Sequence, residues 1–147
     1  MMHPRRWLVV VLVAASALFA GCEQAQSVRT EKPAEVVPIQ GTDLSRVVLT
    51  DEAAQRIGIK TAPVQQLAAS AGAPGTAIPL AAVIYQADGS TWVYTASAPL
   101  TFVRQRVTVA RVSGDLALLQ TGPAPGTAVV TVGAAELFGS EYGVEGE

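Results

Sequence analysis

Residues 78–138 constrain the fold more than any other part of this 147-residue chain. They contain runs rich in β-branched and aromatic residues, and clusters of Gly, Pro and Asp separate these runs. Short runs of this kind, interrupted about every 8 to 12 residues, are typical of antiparallel strands joined by turns. We therefore expect an all-β fold, a small antiparallel β-barrel or sandwich with one or two short helices. The predicted strands are 79–85, 91–95, 102–112, 116–120 and 127–132.

Turn residues and alternation favour the same fold. Residues 87–90 and 113–115 have the Asp and Gly content of hairpin turns. In the third predicted strand, valines alternate with polar residues, and side chains two positions apart share a face of a strand. The pattern predicts that Val107 is buried and that Arg104 and Arg106 lie on the solvent face.

Trp92 and Tyr94 share a face of the second predicted strand, because Val93 separates them. Their large apolar rings carry polar groups that need partners or solvent. Exposed aromatic and Arg residues are over-represented at interface hot spots. The alternative is that the aromatic rings are core and the arginines are merely solvated. The candidate partner contacts are Trp92, Tyr94, Arg104 and Arg106.

Residues 1–21 have the organisation of an export signal. Residues 1–6 include two arginines, residues 7–19 are apolar apart from Ser16, and small residues follow before a polar segment. These thirteen residues, at ~1.5 Å each, would cover roughly 20 Å as a helix, less than the ~30 Å hydrocarbon core of a bilayer. The pattern predicts a cleaved signal rather than a spanning helix.

Cys22 is the single Cys of the chain. The segment that ends on it, Leu18-Phe19-Ala20-Gly21-Cys22, resembles the lipobox of bacterial lipoproteins. The resemblance implies a diacylglyceryl group on the Cys22 sulfur, cleavage just before Cys22, and an extracytoplasmic protein anchored to the cell membrane. The alternative is an ordinary secretory signal with an incidental Cys.

The next segment, residues 23–46, mixes Gln, Ser, Thr, Glu, Lys and Pro without a sustained apolar period. Such a segment buries too little apolar surface to offset its conformational entropy. As a coil of about two dozen residues it would hold a domain roughly 25 to 30 Å from the membrane. The predicted organisation is a signal at 1–21, a flexible tether at 22–46, a β-domain at 47–139 and an acidic tail at 140–147.

A short helix is predicted after residue 50. Thr50 supplies an N-cap hydroxyl, Asp51 and Glu52 are the acids favoured in a first turn, and Gly58 suits a left-handed C-terminal cap. The capping role is preferred over a catalytic acid pair of Asp51 and Glu52. Residues 133–139 are expected to form a short helix or turn that covers a sheet edge.

Composition excludes several classes of function. Of ten Lys and Arg residues two lie in the signal, so eight remain against twelve Asp and Glu, without the basic face that nucleic acid requires. The single His and both Met also lie in the signal. With Cys22 carrying the lipid that the resemblance implies, no soft or imidazole ligand is left for zinc or copper, and no His base is left for a nucleophile. Glu136 and Glu141 are expected to be solvated. We expect no metal, no cofactor, no nucleic acid and no enzymatic activity.

Two segments resemble the two ends of periplasmic adaptor subunits of RND-type efflux pumps, also called membrane fusion proteins. The first, VLTDEAAQRIGIKTAPV at 48–64, is similar to the segment that opens the folded part of those proteins. The second comprises IPLAAVIY, GSTWVY, RVTV and GTAVVTVGAAELFG within 78–139 and is similar to their closing segment. The resemblance implies that the two segments pair into one β-domain next to the membrane.

In that family a second β-barrel, a lipoyl-like domain and an α-helical hairpin lie between these segments. Here residues 65–77 alone separate them, so we expect the membrane-proximal domain without the other parts. The resemblance implies a lipid-anchored adaptor-like module associated with an RND-type efflux transporter. The alternative is a free-standing envelope lipoprotein with a structural or ligand-binding role and no pump partner.

Overall fold

The computed structural model describes residues 32–68 and 75–143. Ten strands of this part of the chain form one connected antiparallel sheet. Two helices, α1 (Asp51–Ile57) and α2 (Ala134–Glu141), and one 3-10 turn (Leu80–Ala82) accompany it. The strands are β1 (Ala34–Pro38), β2 (Ser45–Leu49), β3 (Lys60–Pro63), β4 (Gln65–Gln66), β5 (Thr76–Pro79), β6 (Ile84–Tyr85), β7 (Thr91–Ala98), β8 (Thr101–Ser113), β9 (Leu116–Thr121) and β10 (Ala128–Val132).

The main sheet is curled into a nearly closed barrel, which confirms the expected all-β fold class. Its order is β3-β10-β7-β8-β9-β5-β4, so its first and last strands are neighbours in the chain with Val64 between them. The Val64 N–H donates to Thr127 O at 2.8 Å, and the Gly126 N–H donates to Val64 O at 2.9 Å. The strand corner at Val64 therefore brings the two edges of the sheet together.

Long-range pairing joins the two halves of the sequence. β2 pairs with the start of β8, Val47 opposite Phe102, and β3 pairs with β10, Ala62 opposite Val129. The hairpin of β1 and β2 extends the sheet beside the first residues of β8, while β9 pairs with its last residues. No helix in the described ranges is both long enough and apolar enough to cross a membrane.

Two buried clusters lie on opposite faces of β7 and β10. The first fills the barrel and is called the barrel cluster; the second lies between the sheet and the two helices and is called the helix-covered cluster. Adjacent residues Val93 and Tyr94 belong to different clusters, because successive side chains of a strand point to opposite faces. The barrel cluster is Val64, Ile78, Ala82, Val93, Val107, Ala117, Leu119 and Val129. The helix-covered cluster is Val47, Leu49, Ala53, Tyr94, Phe102, Val130, Ala134 and Leu137.

The predicted first helix and both predicted hairpin turns are present. Thr50 Oγ1 accepts a hydrogen bond from the Ala53 N–H at 3.1 Å, and Gly58 ends α1 with φ 70°. Gly89 and Gly114 have φ of 79° and 58° in the turns that join β6 to β7 and β8 to β9. Glycine adopts these left-handed conformations without the steric cost of a side chain.

The predicted tether is too long, because β1 and the start of β2 lie inside it. Within β1, Val36 lies opposite Val47 and Val37 opposite Arg46. The five residues of β1 have no sustained apolar period and form a strand because they pair with β2. Local composition does not reveal such pairing with another segment. The predicted acidic tail likewise begins inside α2. The predicted signal, Cys22 and residues 23–31 lie outside the described residues.

Candidate functional site

The four residues predicted as partner contacts come together where β7 and β8 meet the end of α2. Tyr94 lies directly opposite Arg104, and Trp92 directly opposite Arg106. Directly opposed residues of an antiparallel pair project from the same face, so these four side chains share one face of the sheet. The end of α2 adds two more side chains. The arginine–aromatic cluster is Trp92, Tyr94, Arg104, Arg106, Glu141 and Tyr142.

A buried ion pair lies at the centre of this cluster. Arg104 Nε is 3.3 Å from Glu141 Oε2, and the two side chains are 5% and 4% exposed. The Tyr94 hydroxyl donates a hydrogen bond to the same carboxylate oxygen. Within the described residues Arg104 Nε makes no hydrogen bond, so its attraction to Glu141 is ionic rather than directional. Low polarity around the pair strengthens that attraction, although burying both charges is itself costly.

Aromatic rings surround the Arg104 guanidinium. Its Cζ lies 4.3 Å from the centroid of the Trp92 ring and 5.2 Å from that of Tyr142. The Arg106 Cζ lies 5.9 Å from the Trp92 ring. At these distances the negative faces of the rings attract the cations. Phe138 packs on Tyr142 with centroids 4.6 Å apart, which links this cluster to the apolar side of α2.

Tyr94 remains a hydrogen-bond donor over a wide pH range. Burial raises the pKa of its hydroxyl far above the usual value of 10.0, and the hydrogen bond and the charge of Glu141 raise it further. Ionised Tyr94 would place a second negative charge beside the Glu141 carboxylate. The neutral phenol is therefore the form that this site holds.

The hairpin turn between β6 and β7 fixes the Trp92 ring. The Trp92 indole N–H donates to Ser90 Oγ at 2.8 Å, and the Ser90 hydroxyl donates to Asp88 Oδ1 at 2.6 Å. The Ser90 hydroxyl and N–H both bond the Asp88 carboxylate and so lower its pKa. Ser90 is buried, whereas Asp88 at the tip of the turn is exposed.

The structure corrects three predictions about this site. Arg104 was expected on the solvent face, but α2 covers that face at Arg104, while Arg106 beyond the helix is exposed as predicted. Tyr94 is fully buried, so neither Tyr94 nor Arg104 offers a surface contact. Glu141 was expected to be solvated and is instead the partner of both.

Sequence reasoning missed the roles of Glu141 and Tyr142. A signal for Glu141 was present, because residues four positions apart share a helix face and Leu137 is the apolar anchor of α2. A carboxylate on the apolar face of a helix requires a buried partner. No comparable signal marks Tyr142, which lies one residue beyond the helix and is 54% exposed.

The chemistry available here is ionic and aromatic. In the ranges that the structure describes, no group of three His, Cys, Asp or Glu side chains is arranged to hold a metal ion. The exposed part of the cluster consists of Arg106, the half-buried Trp92 ring and the Tyr142 ring. The cluster can hold the end of a helix through Arg104 and present the Arg106 guanidinium beside the Trp92 ring.

Comparisons with known proteins give no assignment. No protein-family model matches the sequence, and no curated protein or solved structure matches it significantly.

Proposed function

We propose that this protein is a lipid-anchored extracytoplasmic module, similar to the membrane-proximal domain of efflux adaptors, that associates with an RND-type efflux transporter. One observation carries the proposal. The two segments that resemble the ends of such adaptors pair with each other, β2 with β8 and β3 with β10. That pairing is what the resemblance implies.

A second observation concerns residues 65–77, which stand where efflux adaptors carry their other domains. β4 and β5 form a hairpin here, with Gln65 opposite Ala77. The Leu67 N–H donates to Gly75 O at 2.9 Å. Residues 68–74 therefore complete the connection, which is too short for a further domain. A protein with this connection would act on a transporter as a partner or regulator and not as a conduit to an outer channel.

The chain length between the proposed lipid and the domain limits where the domain can act. Cys22 and Lys32 are ten residues apart in the sequence. Ten fully extended residues span at most about 36 Å. A lipid on Cys22 would thus keep Lys32 within that distance of the membrane surface, where the extracytoplasmic base of a transporter lies.

The proposed contact surface consists of Trp92, Arg106 and Tyr142. Each has accessible surface, and Arg and aromatic residues contribute strongly to interface energies. Tyr94 and Arg104 are buried beneath this surface. They would hold its residues in place without touching a partner.

In-cell photocrosslinking tests the proposal. A photoreactive amino acid at position 106 of the full chain should give a crosslink to a transporter, and the same group at Arg111, also exposed on β8, is the matched control. Cys22→Ser should move the protein from the membrane fraction and abolish the crosslink. Membrane partition unchanged by Cys22→Ser would contradict the lipid anchor. Absence of any transporter crosslink would instead favour a free-standing lipoprotein.

A further inference from the structure

α2 has little intrinsic tendency to be a helix. Its N-cap is Gly133, with φ 92° and no side-chain cap, and Gly139 and Ser140 lie inside it. Glycine is unfavourable in a helix interior, and Glu141 places a negative charge at the end where the helix dipole favours cations. The helix therefore owes its stability to what it packs against.

Two side chains one turn apart are the most deeply buried contacts of α2 with the domain. Leu137 is fully buried in the helix-covered cluster. Glu141 reaches Arg104 and Tyr94, residues that belong to the sheet. The attachment thus combines one apolar and one anionic group on a single helix face.

The receiving groups belong to the sheet and to one of its hairpin turns. Tyr94 and Arg104 are directly opposed in β7 and β8, and the Trp92 ring lies against the guanidinium. Trp92 is in turn bonded to the hairpin turn through Ser90. Without Glu141, a guanidinium, a phenol hydroxyl and an indole ring would remain in place around a site shaped for a carboxylate.

We propose that Tyr94 and Arg104 form a carboxylate-binding site that Glu141 of α2 occupies as a displaceable internal ligand. The partner that fits is a helix with an apolar residue four positions before an acidic one, which would replace Leu137 and Glu141 together. The unpaired Nε of Arg104, 95% buried within the described residues, is a donor that a better-aligned carboxylate would satisfy. This inference requires no transporter and extends beyond the proposed function.

Native-state hydrogen exchange of the full chain tests whether α2 detaches on its own. In the unmodified protein, amides of α2 should exchange through an opening that leaves β7 and β8 protected. Glu141→Gln should reduce the protection of α2 by at least about 10-fold and leave β7 unchanged. Glu136→Gln, on the exposed side of the same helix, is the control and should change neither. Tyr94→Phe provides a milder variant if Glu141→Gln fails to fold.

A peptide tests the binding site directly. The peptide GAAELFGSEYG, residues 133–143, is added to full chain that carries Leu137→Ser and Glu141→Gln, which weaken the internal ligand. It should bind at least about 10-fold more tightly than the same peptide with Gln at position 141. Equal affinities, no binding, or exchange of α2 only together with β7 would overturn the proposal.

Discussion

The barrel cluster and the helix-covered cluster share strands β7, β8 and β10 but differ in chemistry. Every side chain of the barrel cluster is aliphatic. The helix-covered cluster includes Tyr94 and Phe102 and adjoins the pair of Arg104 and Glu141. Aliphatic packing requires volume and shape, whereas a buried charge requires one particular partner. The two faces of the same strands therefore have different roles, stability in the barrel and specific attachment under the helices.

The largest expected effect comes from separating strands that pair across the two halves of the chain and support both clusters. Cutting the chain after Thr76 separates β2 and β3 from β8 and β10, which are their pairing partners. Both fragments should lose cooperative unfolding in thermal melts followed by circular dichroism. A cooperative transition in the isolated 77–147 fragment would show that the barrel does not need the first strands.

Arg104→Ala tests the polar side of the comparison. The change leaves the Glu141 carboxylate buried without its cation and should lower the free energy of unfolding by about 3–5 kcal/mol. Arg106 lies two residues further along the same face of β8, where its side chain is exposed. Arg106→Ala should change the free energy of unfolding by no more than about 0.5 kcal/mol. Both values are measured by urea denaturation. Similar losses for the two variants would refute the special role of the buried pair.

Val107→Ala tests the aliphatic side. Val107 is 2% exposed and belongs to the barrel cluster, so loss of two methyl groups leaves a cavity. We expect a loss of about 1–3 kcal/mol in the free energy of unfolding. Hydrogen exchange should increase throughout the barrel and not in α2 alone. An increase confined to α2 would mean that the two clusters are not separate.

Alkaline pH should weaken the helix-covered cluster through Tyr94. Because the folded-state pKa of Tyr94 is raised, its stabilising contribution is complete below its unfolded pKa of about 10 and decreases as pH rises above that value. Between pH 8 and pH 10.5 the free energy of unfolding should fall by about 0.5–1 kcal/mol more in the unmodified protein than in the Tyr94→Phe variant. Urea denaturation at both pH values measures the difference, and the other titrating groups are common to both proteins. Equal losses would contradict a raised pKa.

Most strands and turns could be predicted because their signals are local. Gly89 and Gly114 mark the turns, Thr50 and Gly58 mark the limits of α1, and alternation identifies Val107 as buried. The strand β1 and the burial of Arg104 could not be predicted, since both depend on which distant segment lies against them. Glu141 is buried because α2 packs on β7 and β8, 47 residues from its hydrogen-bond partner Tyr94.

The strand corner at Val64 affects how the protein behaves toward other copies of itself. Open sheet edges present unpaired backbone groups that promote aggregation, and closure removes them. Val64 alone joins β3 and β4, the first and last strands of the barrel order. The edges of these two strands therefore lie next to each other and are not two separate sites for strand addition. Outside the barrel, β1 pairs with β2 alone. Pro33 precedes β1, and Pro38 is its last residue. Proline has no N–H to offer an incoming strand, so the edge at β1 is a poor site for strand addition.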